Sequence, residues 1–413
     1  MSNKAVTGSF QLMKSLNRSA ILNKIRKDGP ISRADIAKQT KLTPPTVSKV
    51  VKDLLHSEII IEKKQEESHV GRRPTMLTVN AKSFHIIGLD VGPKKLHVVL
   101  SDLNANLIEK YQTILPKGIT NNGLLKLMKK SIQHVISKNQ VDKQKLIGIG
   151  VGMHGVVDVE RGCSLFAPTL QLSDIPIKSY LEEEFELLVK VENDARAMAL
   201  GEAWFGDGKG VNSTIAVNVG LGIDAGIIIN GELFHGEHFV GGEIGHMTID
   251  IDGPRCSCGN YGCLQTFSTG PAIVSNVRHE IAMGSTSILS QWVDNDLELI
   301  DGKLIHEAAK KGDTLSIEAF AQAGRYLGIG LTNLIHTLNP SRIIIGGGVS
   351  KAGNYLMDSV KQTIQHRVLE HSAKQTEILV SKLGDYVTAI GAISLLLVEI
   401  FPPERHDKTS MVL

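Results

Sequence analysis

Apolar positions 47, 50, 51, 54 and 55 (Val47, Val50, Val51, Leu54, Leu55) recur at i, i+3, i+4, i+7 and i+8, the spacing of one buried stripe on a helix. Thr43 is placed to cap that helix and Pro44 to occupy its first turn, where a missing N–H costs nothing. Two shorter patterns precede it. Leu16, Ala20, Ile21 and Ile25 predict a helix over 12–27, ended by Asp28-Gly29-Pro30. Ser32 opens a second helix that buries Ile36 and Ala37, with Asp35 at capping-box spacing, although Asp is shorter than the usual Glu. The turn Thr40-Lys41-Leu42 leads into the third helix. Residues 59–62 and 75–79 then read as two strands around a polar loop. The outward face of the third helix carries Thr46, Ser48, Lys49 and Lys52 beside Thr43, short hydrogen-bonding groups and cations of the kind that enter a major groove. Gly71-Arg72-Arg73-Pro74 stands at the second strand's entry and suits phosphate or minor-groove contact. The pattern is that of a winged helix-turn-helix; the plainer alternative is a helical bundle with a basic hairpin.

After residue 80 the texture changes. Apolar runs at 84–91, 146–151, 189–192, 214–219 and 342–345 read as strands; 124–138, 195–204 and 315–338 read as helices. Residues 95–102 and 226–230 are hairpin partners. Alternation of this kind predicts α/β layers with ligands at the carboxyl ends of the strands. The two glycine-turn hairpins, after Asp90 and after Asn218, read as one duplicated unit. The apolar stretch 389–401 is too short to span a membrane and carries Glu399. Residues 1–10 lack the apolar core of a signal peptide, so a cytoplasmic protein with no membrane partner is expected.

Composition alters this little: 413 residues, 42% hydrophobic and 21% charged, are ordinary for a globular chain, and four cysteines make no disulfide framework. Charge alters it more. Residues 1–80 hold 15 Lys and Arg against 7 Asp and Glu, a net +8, which leaves −6 on the remainder. A basic head on an acidic body fits a nucleic-acid-binding module, or a solvated lysine-rich face.

The sharpest chemical signal is His246, Cys256, Cys258 and Cys263. Thiolates and a neutral imidazole are the ligands Zn²⁺ prefers, and four protein ligands close a structural site that has no open position for water. Gly253, Gly259 and Gly262 would let the loop wrap the ion; free thiols are the alternative. Asn193-Asp194 follows a strand and opens a helix, so Asp194 is a general base, a ligand contact or merely a cap. Glu243, three residues before His246, is placed to share its ligand-facing side. Gly220-Leu221-Gly222 is a weak phosphate signal.

Gly242-Glu243-Ile244-Gly245-His246, the Cys256-x-Cys258-Gly259-x-x-Gly262-Cys263 run and Val191-Glu192-Asn193-Asp194-Ala195 together resemble the ROK family of bacterial sugar kinases and sugar-responsive repressors. Gly71-Arg72-Arg73-Pro74 resembles a motif of the repressor branch. The resemblance implies an α/β fold: a winged helix-turn-helix (1–80), then a two-lobed actin/hexokinase-like, ribonuclease H-like domain (81–190 and 191–385) with a sugar cleft between lobes and a structural zinc. A C-terminal helix (386–413) would pack back on the first lobe. Asn193, Asp194, Glu243 and His246 match the family's sugar contacts; Gln265 stands where the kinases carry Glu, and Thr169 where many members have Asn. The kinases' first phosphate loop has become Asp90-Val91-Gly92-Pro93-Lys94-Lys95, losing a hydroxyl and gaining a proline. In the second, Gly220–Gly226, Leu221 replaces a hydroxyl and Asp224 brings negative charge. The resemblance therefore implies a non-enzymatic repressor that binds operator DNA as a homodimer or homotetramer and answers to a sugar or sugar phosphate. The xylose type is favoured, with the N-acetylglucosamine type beside it. A sugar kinase with an accessory head is the alternative.

Overall fold

The structure is a computed structural model, and it describes residues 16–64, 75–369 and 375–402. The expected wing motif Gly71-Arg72-Arg73-Pro74 and the end of the expected C-terminal segment, 403–413, lie outside the described residues.

The head is built from α1 (Leu16–Asp28), β1 (Ile31–Ser32), α2 (Arg33–Thr40), α3 (Pro44–His56), β2 (Ile60–Lys64) and β3 (Thr75–Val79). The strands form one antiparallel sheet in the order β1-β3-β2. Ser32 caps α2 by accepting the Asp35 N–H at 3.1 Å, and its hydroxyl donates to the Asp35 carboxylate at 2.6 Å. Asp35 thus meets the cap's hydroxyl, where a longer Glu would reach its backbone. Thr43 caps α3 as expected. Ile21, Ile25, Ile36, Val47, Val51, Leu54 and Leu77 are buried. Val50 and Leu55 are only half-buried: they lie at the margins of the α3 stripe, and so small a core covers only its centre.

The rest of the chain holds two five-stranded sheets. The first contains β4 (His85–Val91), β5 (Lys95–Ser101), β6 (Leu107–Ile114), β7 (Leu146–Met153) and a strand at Leu188–Asn193; the second contains strands at Thr214–Val219, Ile223–Ile229, Glu232–Phe234, Arg342–Gly346 and Glu377–Val380. A small three-stranded sheet spans β8 (Val156–Asp158), β9 (Cys163–Ala167) and β10 (Leu172–Ile175). Continuing in chain order, Leu188–Asn193 is β11 and the second sheet is β12 to β16. The sheets run β11-β7-β4-β5-β6 and β14-β13-β12-β15-β16. In each, the first three strands are an antiparallel meander, the fourth pairs parallel with the first, and the fifth pairs parallel with the fourth. The two glycine-turn hairpins are therefore the opening strands of one topology used twice.

The chain divides into two compact units, residues 1–194 with 389–413, and 195–388. The helix that follows each fifth strand belongs to the unit of the other sheet: Asp194–Phe205 enters the second unit and Val387–Ile400 re-enters the first. In the first unit, a Cβ on Gly150 of β7 would lie 1.9 Å from the Ala392 carbonyl oxygen. Only glycine lets the C-terminal helix lie this close to the sheet. Past that helix, Phe401 and Pro402 touch the head: Asn23 Nδ2 donates to the Pro402 carbonyl at 2.6 Å, and the Arg26 guanidinium lies 5.5 Å over the Phe401 ring.

Candidate functional sites

On the head, the outward face of α3 is polar. Thr43, Ser48, Lys49 and Lys52 are exposed and Thr46 is half-buried. The Thr43 and Thr46 hydroxyls lie 2.8 Å apart, which ties the start of the helix into one hydrogen-bonding edge. The buried valines on the opposite side point this edge outward by the 3.6-residue period alone.

In the second unit the four expected metal ligands come together. One ligand atom from each of His246, Cys256, Cys258 and Cys263 lies within 4.8 Å of every other. Cys256 Sγ to His246 Nδ1 and Cys258 Sγ to Cys263 Sγ are each 3.7 Å. A zinc–sulfur bond of about 2.3 Å gives a tetrahedral S···S edge of about 3.8 Å, so the donor set has the size of a metal cage. A single turn, Ile244–His246, places Glu243 and His246, because the His246 N–H bonds the Glu243 carbonyl at 3.1 Å. The loop closes through Cys256 N–H to Asn260 and Gly262 N–H to Pro254. Gly262 has φ +64°, and a Cβ there would fall 1.4 Å from the Asp250 carbonyl oxygen. Burial pushes the Cys263 thiol up, and Cys256 and Cys258 push it further, to about 12. Burial acts likewise on Cys256, but donors from the Cys258 backbone and the Gln265 amide outweigh it and bring that thiol down to about 6. Three crowded sulfurs hold one thiolate readily and a third with difficulty, a conflict that a divalent cation removes. The cluster can hold a metal ion.

Gln265 has a partner that sequence reasoning did not foresee. Its amide donates to Cys256 Sγ at 3.0 Å, so this side chain is tied to the sulfur cluster.

In the first unit, β11 ends at Asn193 and the next helix begins at Asp194. Both residues are buried. Asn193 Nδ2 donates to the Gly155 carbonyl at 3.0 Å and to Asp194 Oδ1 at 3.1 Å. Asp194 is therefore the helix's first residue, oriented by a neighbouring amide. Glu243, His246 and Gln265 are residues of the second unit. Sequence reasoning overlooked two other buried polar side chains. Arg196 donates to the carbonyls of Phe239 and Gly241 at 3.0 and 3.2 Å, bracing the segment before Glu243. His154 follows β7, in Gly152-Met153-His154-Gly155; the change from apolar to polar at a strand's carboxyl end was the available signal.

Both glycine loops are tight turns. Gly92 N–H bonds the Lys95 carbonyl at 3.0 Å and Gly220 N–H bonds the Gly222 carbonyl at 2.9 Å. No helix among the described residues is long and apolar enough to cross a membrane.

Comparison with known proteins agrees with this geometry. Residues 86–399 match the ROK family, and residues 15–61 match a winged helix-turn-helix DNA-binding family. The xylose repressor of Caldicellulosiruptor bescii is 33% identical over 390 residues, 94% of this chain and 97% of that protein. A crystal structure of a ROK family transcriptional regulator, a homologue of the Escherichia coli MLC protein, superposes with TM-score 0.83 at 28% identity and covers 94% of this chain and 98% of that one. A ROK family glucokinase from Streptomyces griseus, in complex with glucose and AMPPNP, gives TM-score 0.68 at 30% identity and covers 75% of this chain and 98% of that one.

Proposed function

This chain belongs to the ROK family, and from that premise we propose that it is a sugar-responsive transcriptional repressor of carbohydrate-utilisation genes, of the xylose type, acting in the cytoplasm. The observation that carries this reading is the winged helix-turn-helix head joined to a ROK body along one chain. The match to the regulator covers 94% of this chain and so includes the head, whereas the glucokinase match stops at three quarters of the chain.

Thr43, Thr46, Ser48, Lys49 and Lys52 read the operator, and Arg72 and Arg73 hold phosphate or the minor groove. Paired heads of a homodimer or homotetramer meet half-sites about one helical turn apart. Asn193, Asp194, Glu243, His246 and Gln265 hydrogen-bond the sugar or sugar phosphate. His246, Cys256, Cys258 and Cys263 would hold a structural Zn²⁺, which when bound neutralises the crowded thiolates and shapes the loop. His246 turns Nδ1 toward Cys256, which leaves Nε2 for a sugar hydroxyl, so the metal loop and the effector share one side chain. An effector shifts operator affinity only as far as it binds the two protein states unequally.

The two glycine loops support a regulator rather than a kinase. Pro93 lacks a backbone N–H, and those of Gly92 and Gly220 close their own turns, so they are not turned to phosphate. The test is operator binding followed over a salt titration. Lys49→Ala with Lys52→Ala should flatten the slope of log K against log[salt] by about two, and D-xylose should release the DNA. An unchanged slope would sink the α3 assignment. ADP release with a sugar, lost in Asp194→Ala, would favour the kinase.

A further inference from the structure

One buried polar group in the first unit has no part in the reading above. His154 lies one residue beyond β7 and is only 7% exposed. Its Nδ1 is 3.0 Å from the Val91 carbonyl at the end of β4. A carbonyl only accepts, so Nδ1 carries the ring proton and Nε2 is left as a bare acceptor. That Nε2 is buried and has no hydrogen-bond partner among the described residues. An unmet buried acceptor costs about 1–3 kcal/mol, which marks an atom kept for something else. The surroundings say what. β7 lies between β4 and β11 and is parallel to both, so His154 sits in the polar layer at the carboxyl ends of three parallel strands, where open α/β sheets bind ligands. The next residue, Gly155, accepts from Asn193 Nδ2, which also donates to Asp194.

We infer that His154 is a further effector contact, whose Nε2 accepts a hydroxyl hydrogen from the bound sugar. The inference rests on the sugar-binding reading of Asn193 and Asp194 and extends it by one residue and one polarity. Asp194 and His154 both present acceptors, so the first unit favours a donor-rich polyol face over an anionic group. A phosphate monoester, all acceptors at neutral pH, is the poorer partner here.

The test is calorimetric titration of the full chain with D-xylose, D-glucose, N-acetyl-D-glucosamine and their phosphates. Asp194→Asn is the control for the underlying reading. His154→Phe keeps a ring of similar size and removes the acceptor; it should weaken the best free sugar about tenfold or more. His154→Gln, which returns an acceptor near the position of Nε2, should recover part of that loss. A readout without mutation guards against a variant that does not fold: the ¹⁵N resonance of His154 Nε2, assigned by its absence in His154→Gln, should move upfield from the bare-acceptor position when sugar saturates the wild type. If the wild type binds sugar and Asp194→Asn weakens it, while His154→Phe is unaffected or the Nε2 resonance stays still, then His154 is no contact and this inference alone falls. If no sugar binds the wild type, both readings fall together. Tighter binding of a sugar phosphate than of its parent, with the Nε2 resonance shifting to that of imidazolium, would overturn the polarity.

Discussion

The two five-stranded sheets share one wiring and differ in what hangs from it. Between its third and fourth strands the first sheet carries a single helix, Asn121–Lys138. At the same point the second carries the metal-ligand loop and a run of helices ending in Thr314–Leu338. Polar and sulfur groups separate them too. The first gathers His154, Asn193 and Asp194 at its strand ends, while the second gathers sulfur and imidazole in an insertion. Strand order follows from pairing and twist, which many sequences satisfy, so a duplicated scaffold can keep its sheet and place different chemistry at each copy.

The largest effect expected is on the second copy alone. Cys263→Ser should abolish stoichiometric metal, since structural zinc contributes on the order of 10 kcal/mol in small zinc peptides and strongly orders its loop. Metal analysis with hydrogen exchange should show residues 244–264 deprotected and β4–β7 unchanged. Equal deprotection of both sheets would end the idea that the copies carry separate devices. Next comes the first copy. Gly150→Val forces atoms into the Ala392 carbonyl and should cost about 1–3 kcal/mol or more, read as a lower denaturant midpoint. Weakened operator binding would accompany it if Phe401 and Pro402 transmit the helix shift to Asn23 and Arg26.

The smallest effect concerns Asp313, which caps the long helix Thr314–Leu338. Burial raises its carboxyl, but donors from Ser316, Ile288 and Ser287 outweigh this and hold it below the ordinary carboxylate range. A depressed folded value means that the stabilisation is present above the unfolded pKa and is lost as pH falls through the folded one. Asp313→Asn keeps a capping oxygen but loses hydrogen bonds to a charged carboxylate, so it should cost about 1 kcal/mol at pH 7, and its gap from wild type should narrow in acid. A gap independent of pH would show that the cap works through geometry and not charge.

Much of this was legible in the chain. The head was readable because capping residues and the 3.6-residue stripe are local signals, and Thr43, Ser32 and Val47 to Leu54 act within a few positions of themselves. The sulfur–imidazole cluster was readable because three cysteines and a histidine fall within 18 residues. Strands 107–114 and 156–175 were passed over, the former despite its strict alternation of half-buried and exposed positions. His154 and Arg196 were passed over because a lone polar residue near a strand end has many uses, and only its partners distinguish them.

Periodicity, capping chemistry and ligand spacing, all written along the chain, determined a DNA-reading head, alternating α/β layers and a sulfur–imidazole cluster. The tertiary structure alone decided that the two sheets share one strand order, that the C-terminal helix lies against Gly150 and ends at the head, and that the Nε2 of His154 is buried with no partner among the described residues. Those facts depend on which distant segments meet, and hydrogen bonds between strands far apart in sequence leave no periodic mark on either one.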